Sequence, residues 1–246
     1  MSDALLDVYR RLAACCPAWQ VRVLTGERAE PGAEWVSAAG FAERVEELVA
    51  GEAARIRARH GSAVPAHVAA SRLLHHYLWT TCLLASGPWY LAGQVPALPV
   101  AAVWIEPATG ELAVRAEGAA PIGGPAELRA AVAEHVEPVL EAFRPVAKRG
   151  SRALWGMVTD DLVSGIWYLG RMLGCEEHAV AQAELVLPGG TAPMVGSADF
   201  RRLGGAGELT RTRVGCCLYY AVRPDEACLT CPRTGDAERA RRLAGV

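Results

Sequence analysis

Half of the eight cysteines of this chain lie close together near the C-terminus, in the pattern Cys216-Cys217-x10-Cys228-x2-Cys231. Four thiolates at such spacing can hold a metal centre. The CxxC half allows two sulfurs to converge on one ion, and Pro232 follows it, as a proline follows the last cysteine of ferredoxin runs. Adjacent side chains of an extended strand point to opposite faces, so the vicinal pair needs a local turn to bind one ion. A [2Fe–2S] cluster accepts a vicinal pair more readily than a lone tetrahedral Zn2+ does, and the spacing alone leaves both open.

Residues 213–220 read RVGCCLYY and residues 228–232 read CLTCP. Both halves, and the gap between them, resemble the C-terminal signature of the FhuF-like ferric-siderophore reductases, a family whose Cys-Cys-x10-Cys-x2-Cys motif binds [2Fe–2S]. A weaker resemblance extends to Leu154-Trp155-Gly156, which opens a long apolar helix. The resemblance implies a [2Fe–2S] cluster held by Cys216, Cys217, Cys228 and Cys231.

The same resemblance implies a function. A FhuF-like protein is an oxidoreductase that reduces siderophore-bound Fe3+ to Fe2+ by one electron in the cytoplasm, and the expected substrate is a ferric siderophore of the hydroxamate type. Hard oxygen donors hold Fe3+ far more tightly than Fe2+, so reduction releases the iron. The sequence has no Gly-rich phosphate loop and no dinucleotide fingerprint. We therefore expect an external electron donor, such as a ferredoxin or a flavin-dependent reductase.

Three other interpretations remain open from the sequence. The four cysteines could hold a structural zinc in an interaction module. They could hold an iron–sulfur cluster for electron transfer or iron sensing, without a substrate of the protein's own. The chain could also be a relative of siderophore-synthesis proteins that keeps only a related helical body, although the intact cysteine motif speaks against this.

Composition limits the class of protein further. The chain has 246 residues, of which 52% are hydrophobic and 21% charged, with a net charge of −2. These values predict a packed globular protein without strong attraction to nucleic acid. We expect no transmembrane segment, because the uncharged stretch between Arg72 and Glu106 is interrupted by His, Gly and Pro. No export signal opens the sequence, so we expect the reducing cytoplasm, where clustered cysteines favour metal or redox chemistry.

Several residues near the motif, or resembling sites themselves, are secondary candidates. Nine arginines face five acidic residues from Arg201 onward, and the three nearest the cysteines could moderate a negatively charged cluster or simply lie at the surface. These three are Arg211, Arg213 and Arg223. Tyr219 and Tyr220 are candidates for shielding the cluster.

Other polar and thiol groups are interpreted as structural. We interpret Asp160-Asp161 as a polar stripe on the exposed face of a helix, and His75-His76 as core or surface histidines. The other four cysteines are expected to be ordinary buried thiols. They are Cys15, Cys16, Cys82 and Cys175.

These residues are expected to lie on a mainly helical α+β fold with a few short strands and hairpins. Apolar periodicity predicts six helices, of which the third ends at Gly87-Pro88 and the fourth is kinked or split at Pro138. Residues 100–105 and 111–116 predict a hairpin, residues 188–207 a loop, and residues 218–222 a strand. We divide the chain into a helical siderophore-binding body, 1–200, and a C-terminal [2Fe–2S] module, 201–246.

Overall fold

The computed structural model describes residues 3–17, 19, 21–26, 29–115, 120–204 and 207–244. The helices in this part of the chain are α1 (Asp3–Cys15), α2 (Ala38–Glu43), α3 (Val45–His60), α4 (Ala66–Ala92), α5 (Pro125–Ala147), α6 (Ser151–Met172), α7 (Glu176–Val186) and α8 (Asp236–Ala244). The strands are β1 (Val21–Val23), β2 (Val36–Ser37), β3 (Val103–Ile105), β4 (Leu112–Val114), β5 (Phe200–Leu203) and β6 (Glu208–Arg211). The predicted mainly helical α+β class is confirmed.

Helix α4 lies at the centre of the body and packs against α1, α3, α5 and α6, while α7 packs on α6. A helix that is apolar on every side must be buried on every side. Helix α4 follows this rule: its middle, from Tyr77 to Trp89, is mainly apolar in sequence and almost wholly buried in the structure. The body is therefore organised around α4 and its long neighbour α6.

Helix α4 does not end at Gly87-Pro88, and the prediction that it would was wrong. Proline removes one backbone donor, so the carbonyl four residues earlier needs another partner. The hydroxyl of Tyr9 in α1 donates to that Leu84 carbonyl at 3.5 Å. Gly87 allows the close approach of α1, since a Cβ there would lie 2.6 Å from Cδ1 of Leu12. Packing of α1 thus compensates for the proline and lets the helix continue.

Two further local predictions need correction. Of the two outcomes expected at Pro138, a kink or a split, the split does not occur, because α5 is continuous from Pro125 to Ala147. Pro138 and the residue four before it, Glu134, both lie on the exposed side of α5, where solvent can satisfy the freed carbonyl. The expected loop 188–207 contains β5, which pairs antiparallel with β6. The ring of Phe200 in β5 packs edge-on against Trp167 at 5.2 Å.

The main sheet has the strand order β1-β4-β3-β2. Strands β3 and β4 pair antiparallel, which confirms the predicted hairpin, and β1 adds parallel to β4. None of the helices in the described ranges combines the length and the apolar character that a membrane crossing needs. The boundary at residue 200 between body and module stays a prediction.

Candidate metal centre

Cys216, Cys217, Cys228 and Cys231 all line one small cavity, which we call the cysteine cavity. Cys217 and Cys231 are buried, with 6% and 3% exposure, and the other two are half-buried. Tyr219 and Tyr220 also line this cavity, as their predicted shielding role requires. The fold therefore brings the four predicted ligands to one place.

Each half of the motif is shaped by a local turn. In the CxxC half, the Cys231 amide donates to the Cys228 carbonyl at 3.0 Å. In the vicinal half, Leu218 adopts a left-handed conformation with φ of 63°, and its amide donates to Sγ of Cys216 at 3.4 Å. The turn that a vicinal pair needs is thus present.

The segment between the two halves is not the predicted strand. Residues Tyr219–Ala221 and Pro224–Glu226 form 3-10 turns. The amides of Val222 and Arg223 both donate to the Tyr219 carbonyl at 2.9 Å. Local hydrogen bonds of this kind satisfy the backbone without a neighbouring strand. The ten-residue gap is therefore a pair of tight turns.

The cysteine segment, residues 213–233, is fastened to α6 through Asp160. This carboxylate accepts hydrogen bonds from the amides of Val214 at 2.9 Å and Gly215 at 2.7 Å, and from Nη2 of Arg211 at 2.7 Å. Both Asp160 and Arg211 are fully buried. Gly215 allows the close contact, because a Cβ there would lie 3.3 Å from the Met157 amide nitrogen.

Asp161 forms a second fastening on the same helix. Its carboxylate accepts hydrogen bonds from Nη2 of Arg213 at 2.8 Å and from Nδ1 of His75 at 2.9 Å. Burial favours the protonated acid, but His75 and Arg213 outweigh it and hold the pKa of Asp161 below its usual value. The expectation of an exposed polar stripe at Asp160-Asp161 was wrong, because each carboxylate has a buried cationic partner that sequence periodicity does not reveal.

Helix α8 supports the CxxC half. The guanidinium of Arg239 is 1% exposed and donates to the carbonyls of Leu229 at 2.7 Å, Cys231 at 3.0 Å and Thr234 at 2.8 Å. A guanidinium offers five donors in a rigid fork, so one side chain can fix several carbonyls. Arg239 therefore fixes the backbone around the last cysteine, a role that the sequence did not suggest.

Cationic side chains surround the thiols, but they are only partly the three arginines that the sequence suggested. Arg213 lines the cysteine cavity, whereas Arg211 bonds to Asp160 and Arg223 pairs with Glu226. Two arginines that the sequence did not single out contact the vicinal cysteines directly, one at a thiol and one at a backbone carbonyl. Nη1 of Arg72 lies 3.3 Å from Sγ of Cys217, and Nη2 of Arg149 lies 2.5 Å from the Cys216 carbonyl oxygen.

The remaining candidates have structural surroundings. Cys16 and Cys82 are buried as expected, whereas Cys15 and Cys175 are only half-buried. Sγ of Cys15 and Cys16 are 3.6 Å apart, and Sγ of Cys175 lies 3.2 Å from the Tyr90 hydroxyl oxygen. All eight cysteines are free.

The donor set of the cysteine cavity fits a four-thiolate group. Burial raises the pKa of the Cys216 and Cys228 thiols, while Arg213 opposes the rise at Cys228. Thiolates at these positions therefore require cationic compensation, which a bound metal centre supplies. Within the described ranges, no three His, Cys, Asp or Glu side chains converge as ligands of a single ion. A two-iron cluster does not need such convergence, because each iron takes two protein thiolates.

A second, larger cavity of about 620 Å³ adjoins the cysteine segment; we call it the basic cavity. Its walls come from α3, from α4, from the β3–β4 turn, and from Tyr219 and Val222. Tyr219 lines both cavities. Arg72 lines the basic cavity, contacts Cys217, and places its guanidinium carbon 4.6 Å from the centre of the Tyr219 ring.

The geometry gathers four cysteines at one cavity of a mainly helical protein, and the comparison with known families indicates the kind of centre. Residues 213–233 match the family model described as the FhuF 2Fe-2S C-terminal domain. The match confirms the predicted resemblance to the FhuF-like family and indicates a [2Fe–2S] cluster as the cofactor. A search of curated proteins finds no match to this chain.

Proposed function

We propose that this chain is a ferric-siderophore reductase that releases iron by one-electron reduction of Fe3+ to Fe2+. One observation carries the proposal: the basic cavity and the cysteine cavity share Tyr219, and Arg72 reaches from the first to a thiol of the second. A volume of about 620 Å³ is in the range of small-molecule sites. A chelate in the basic cavity would therefore lie beside the cysteine segment.

We propose that the four cysteines of the motif hold the cofactor. A bound [2Fe–2S] cluster supplies electrons one at a time, as the reduction of Fe3+ requires. Arg72 and Arg213 offset the negative charge of the thiolates, and Asp160 and Asp161 fix the cysteine segment on α6.

The remaining partners are proposed on chemical grounds. The substrate is an oxygen-donor chelate of Fe3+, since hard donors release iron after reduction. The sequence carries no nucleotide fingerprint, so a ferredoxin or a flavin-dependent reductase would supply the electron. We place this reaction in the cytoplasm.

An anaerobic steady-state assay tests the proposal. The loaded protein is mixed with a ferredoxin, its reductase and ferric siderophores of several types, and Fe2+ is captured by a ferrous-specific chelator. We expect the wild type and Cys175→Ser to release iron, and Cys231→Ser to lose both the visible absorbance and the iron release. Cys175 lies outside both cavities and serves as the matched control.

Two results would count against the proposal. Full iron release by Cys231→Ser would remove the motif from the reaction. A wild-type protein that accepts electrons but reduces none of the ferric siderophores would instead be an electron-transfer protein without a substrate.

A further inference from the structure

We propose that the basic cavity binds ferric chelates with a net negative charge in preference to neutral ones. The inference rests on the proposed function and names the class of substrate. A tris-hydroxamate complex of Fe3+ is neutral, because three singly charged groups balance the metal. Catecholate and α-hydroxycarboxylate groups are doubly charged when they bind Fe3+. Chelates completed by such groups are therefore anionic, including those that combine two hydroxamates with one α-hydroxycarboxylate.

The charged groups of the basic cavity are unequal in number. Three arginines, Arg55, Arg59 and Arg72, face one acidic residue, Glu52. Glu52 is buried and its Oε2 lies 2.9 Å from Nη2 of Arg55, so its charge is matched within the wall. Arg59 and Arg72 therefore remain without a carboxylate partner among the described residues, and the wall keeps a positive excess.

Arg59 is the side chain whose charge is free for a ligand, because Arg72 also faces a thiol of the motif. Arg59 is exposed and has no hydrogen-bond or ion-pair partner within the described residues. Arg72 donates to Nε2 of His76 at 2.8 Å and to Sγ of Cys217 at 3.3 Å. A guanidinium has no acceptor, so Nε2 of His76 must accept and the ring is neutral. His76 thus does not neutralise Arg72.

Two further carboxylates close to the cavity wall have partners of their own. Glu226 accepts a hydrogen bond from the Tyr219 hydroxyl at 2.9 Å and pairs with Arg223. Glu106, at the start of the β3–β4 turn, accepts hydrogen bonds from the amides of Ala108 at 3.0 Å and Thr109 at 2.7 Å. The negative charge of Glu106 is therefore partly compensated by hydrogen bonds within the turn. The balance inside the basic cavity therefore stays positive.

The same charges favour the reduced state of a bound chelate. Reduction of Fe3+ to Fe2+ adds one electron and makes the complex one unit more negative, while the external donor loses that electron. Arginines beside the complex stabilise the more negative form more strongly. Charge selectivity and assistance to reduction thus have one physical origin.

Gallium chelates test the selectivity apart from reduction, because Ga3+ has the charge of Fe3+ and a similar size but accepts no electron under these conditions. Calorimetric titration of the loaded protein would compare a triply negative gallium tris-catecholate with a neutral gallium tris-hydroxamate. We expect the anionic chelate to bind about tenfold more tightly at low salt, and the ratio to fall as salt screens the arginines.

Matched variants assign the effect to the basic cavity. Arg59→Gln should weaken binding of the anionic chelate about threefold to fivefold and leave the neutral chelate unchanged. Arg57→Gln, on the same helix but outside the basic cavity, should change neither.

Equal affinity for both chelates would overturn the charge selectivity. An anionic preference that is undiminished in Arg59→Gln would overturn the assignment to this cavity. Continued reduction of ferric siderophores without binding of either gallium chelate would also overturn the inference but leave the proposed function intact. Absence of both binding and reduction would contradict the proposed function itself.

Discussion

The guanidinium of Arg72 lies 3.3 Å from Sγ of Cys217, although 145 positions separate the two residues in the chain. Arg72 belongs to the central helix of the body, and Cys217 to the C-terminal motif. This contact joins the wall of the basic cavity to the cysteine cavity. It makes the body part of the electrostatic surroundings of the centre.

Replacement of Arg72 by Gln should lower the reduction potential of the loaded protein. The arginine stabilises negative charge on the thiolates, and the reduced centre carries one more negative charge than the oxidised centre. A loss of about 1 kcal/mol for one electron corresponds to roughly 40 mV. A spectroscopic redox titration measures the shift. Arg72→Lys should restore part of it and Arg57→Gln none, whereas an unchanged potential in Arg72→Gln would show that the contact does not act on the centre.

Replacement of Asp160 by Asn should loosen the cysteine segment. The change leaves Arg211 buried without its carboxylate and weakens the acceptor for two amides, at a cost of about 3 kcal/mol. We expect a lower free energy of unfolding in denaturant and faster loss of iron to a chelator. Asp7→Asn, at an exposed position of α1, is the control. Wild-type stability in Asp160→Asn would refute the fastening to α6.

Replacement of Arg239 by Met should selectively weaken the CxxC half. Three carbonyls would lose their buried donor, which costs about 2 kcal/mol. The iron content after purification and the thermal midpoint of unfolding measure the effect. Arg241→Met on the same helix should behave as wild type, since its side chain is 76% exposed. If both variants keep their iron equally, α8 does not support the motif.

Stability should decline as the pH falls from about 6.5 to about 4, partly because of His135. This ring is buried, with Nε2 2.6 Å from the Tyr77 hydroxyl oxygen and Nδ1 2.5 Å from the Leu98 carbonyl oxygen. Burial lowers the pKa of His135 to about 4, although the hydrogen bond to the Leu98 carbonyl acts to raise it. As the pH falls, the unfolded chain therefore binds a proton at a higher pH than the folded chain does. The free energy of unfolding decreases by on the order of 3 kcal/mol across this range.

Denaturant unfolding at several pH values measures this dependence. His135→Gln should reduce the slope of the unfolding free energy against pH in that window, whereas His67→Gln, a half-buried residue on α4, should not. An unaltered slope in His135→Gln would contradict the assignment.

The sequence supported a correct prediction where local chemistry decides the structure. The spacing of Cys216 to Cys231 predicted a metal centre, and the family match supports it. The alternation at residues 100–105 and 111–116 predicted the hairpin that β3 and β4 form. Apolar periodicity likewise predicted the long helices around α4 and α6. In these cases, the residues that determine the element lie within the element itself.

The errors arose where a distant residue changes the local outcome. Pro88 would end a helix by itself, but Tyr9 supplies the missing donor. Asp160 and Asp161 are polar residues of a buried face because Arg211 and Arg213 arrive from the C-terminal segment. Arg72 and Arg149 carried no local signal at all, since their role depends on tertiary contact with the motif.

A single-turnover measurement tests the central claim most directly. Chemically reduced, loaded protein is mixed anaerobically with a ferric siderophore, and the visible absorbance and the formation of Fe2+ are followed in the same reaction. We predict that both change at one rate, that one Fe2+ forms for each protein oxidised, and that Arg59→Gln slows an anionic chelate more than a neutral one. Oxidation of the protein without formation of Fe2+, or formation of Fe2+ by Cys231→Ser at the wild-type rate, would contradict the account.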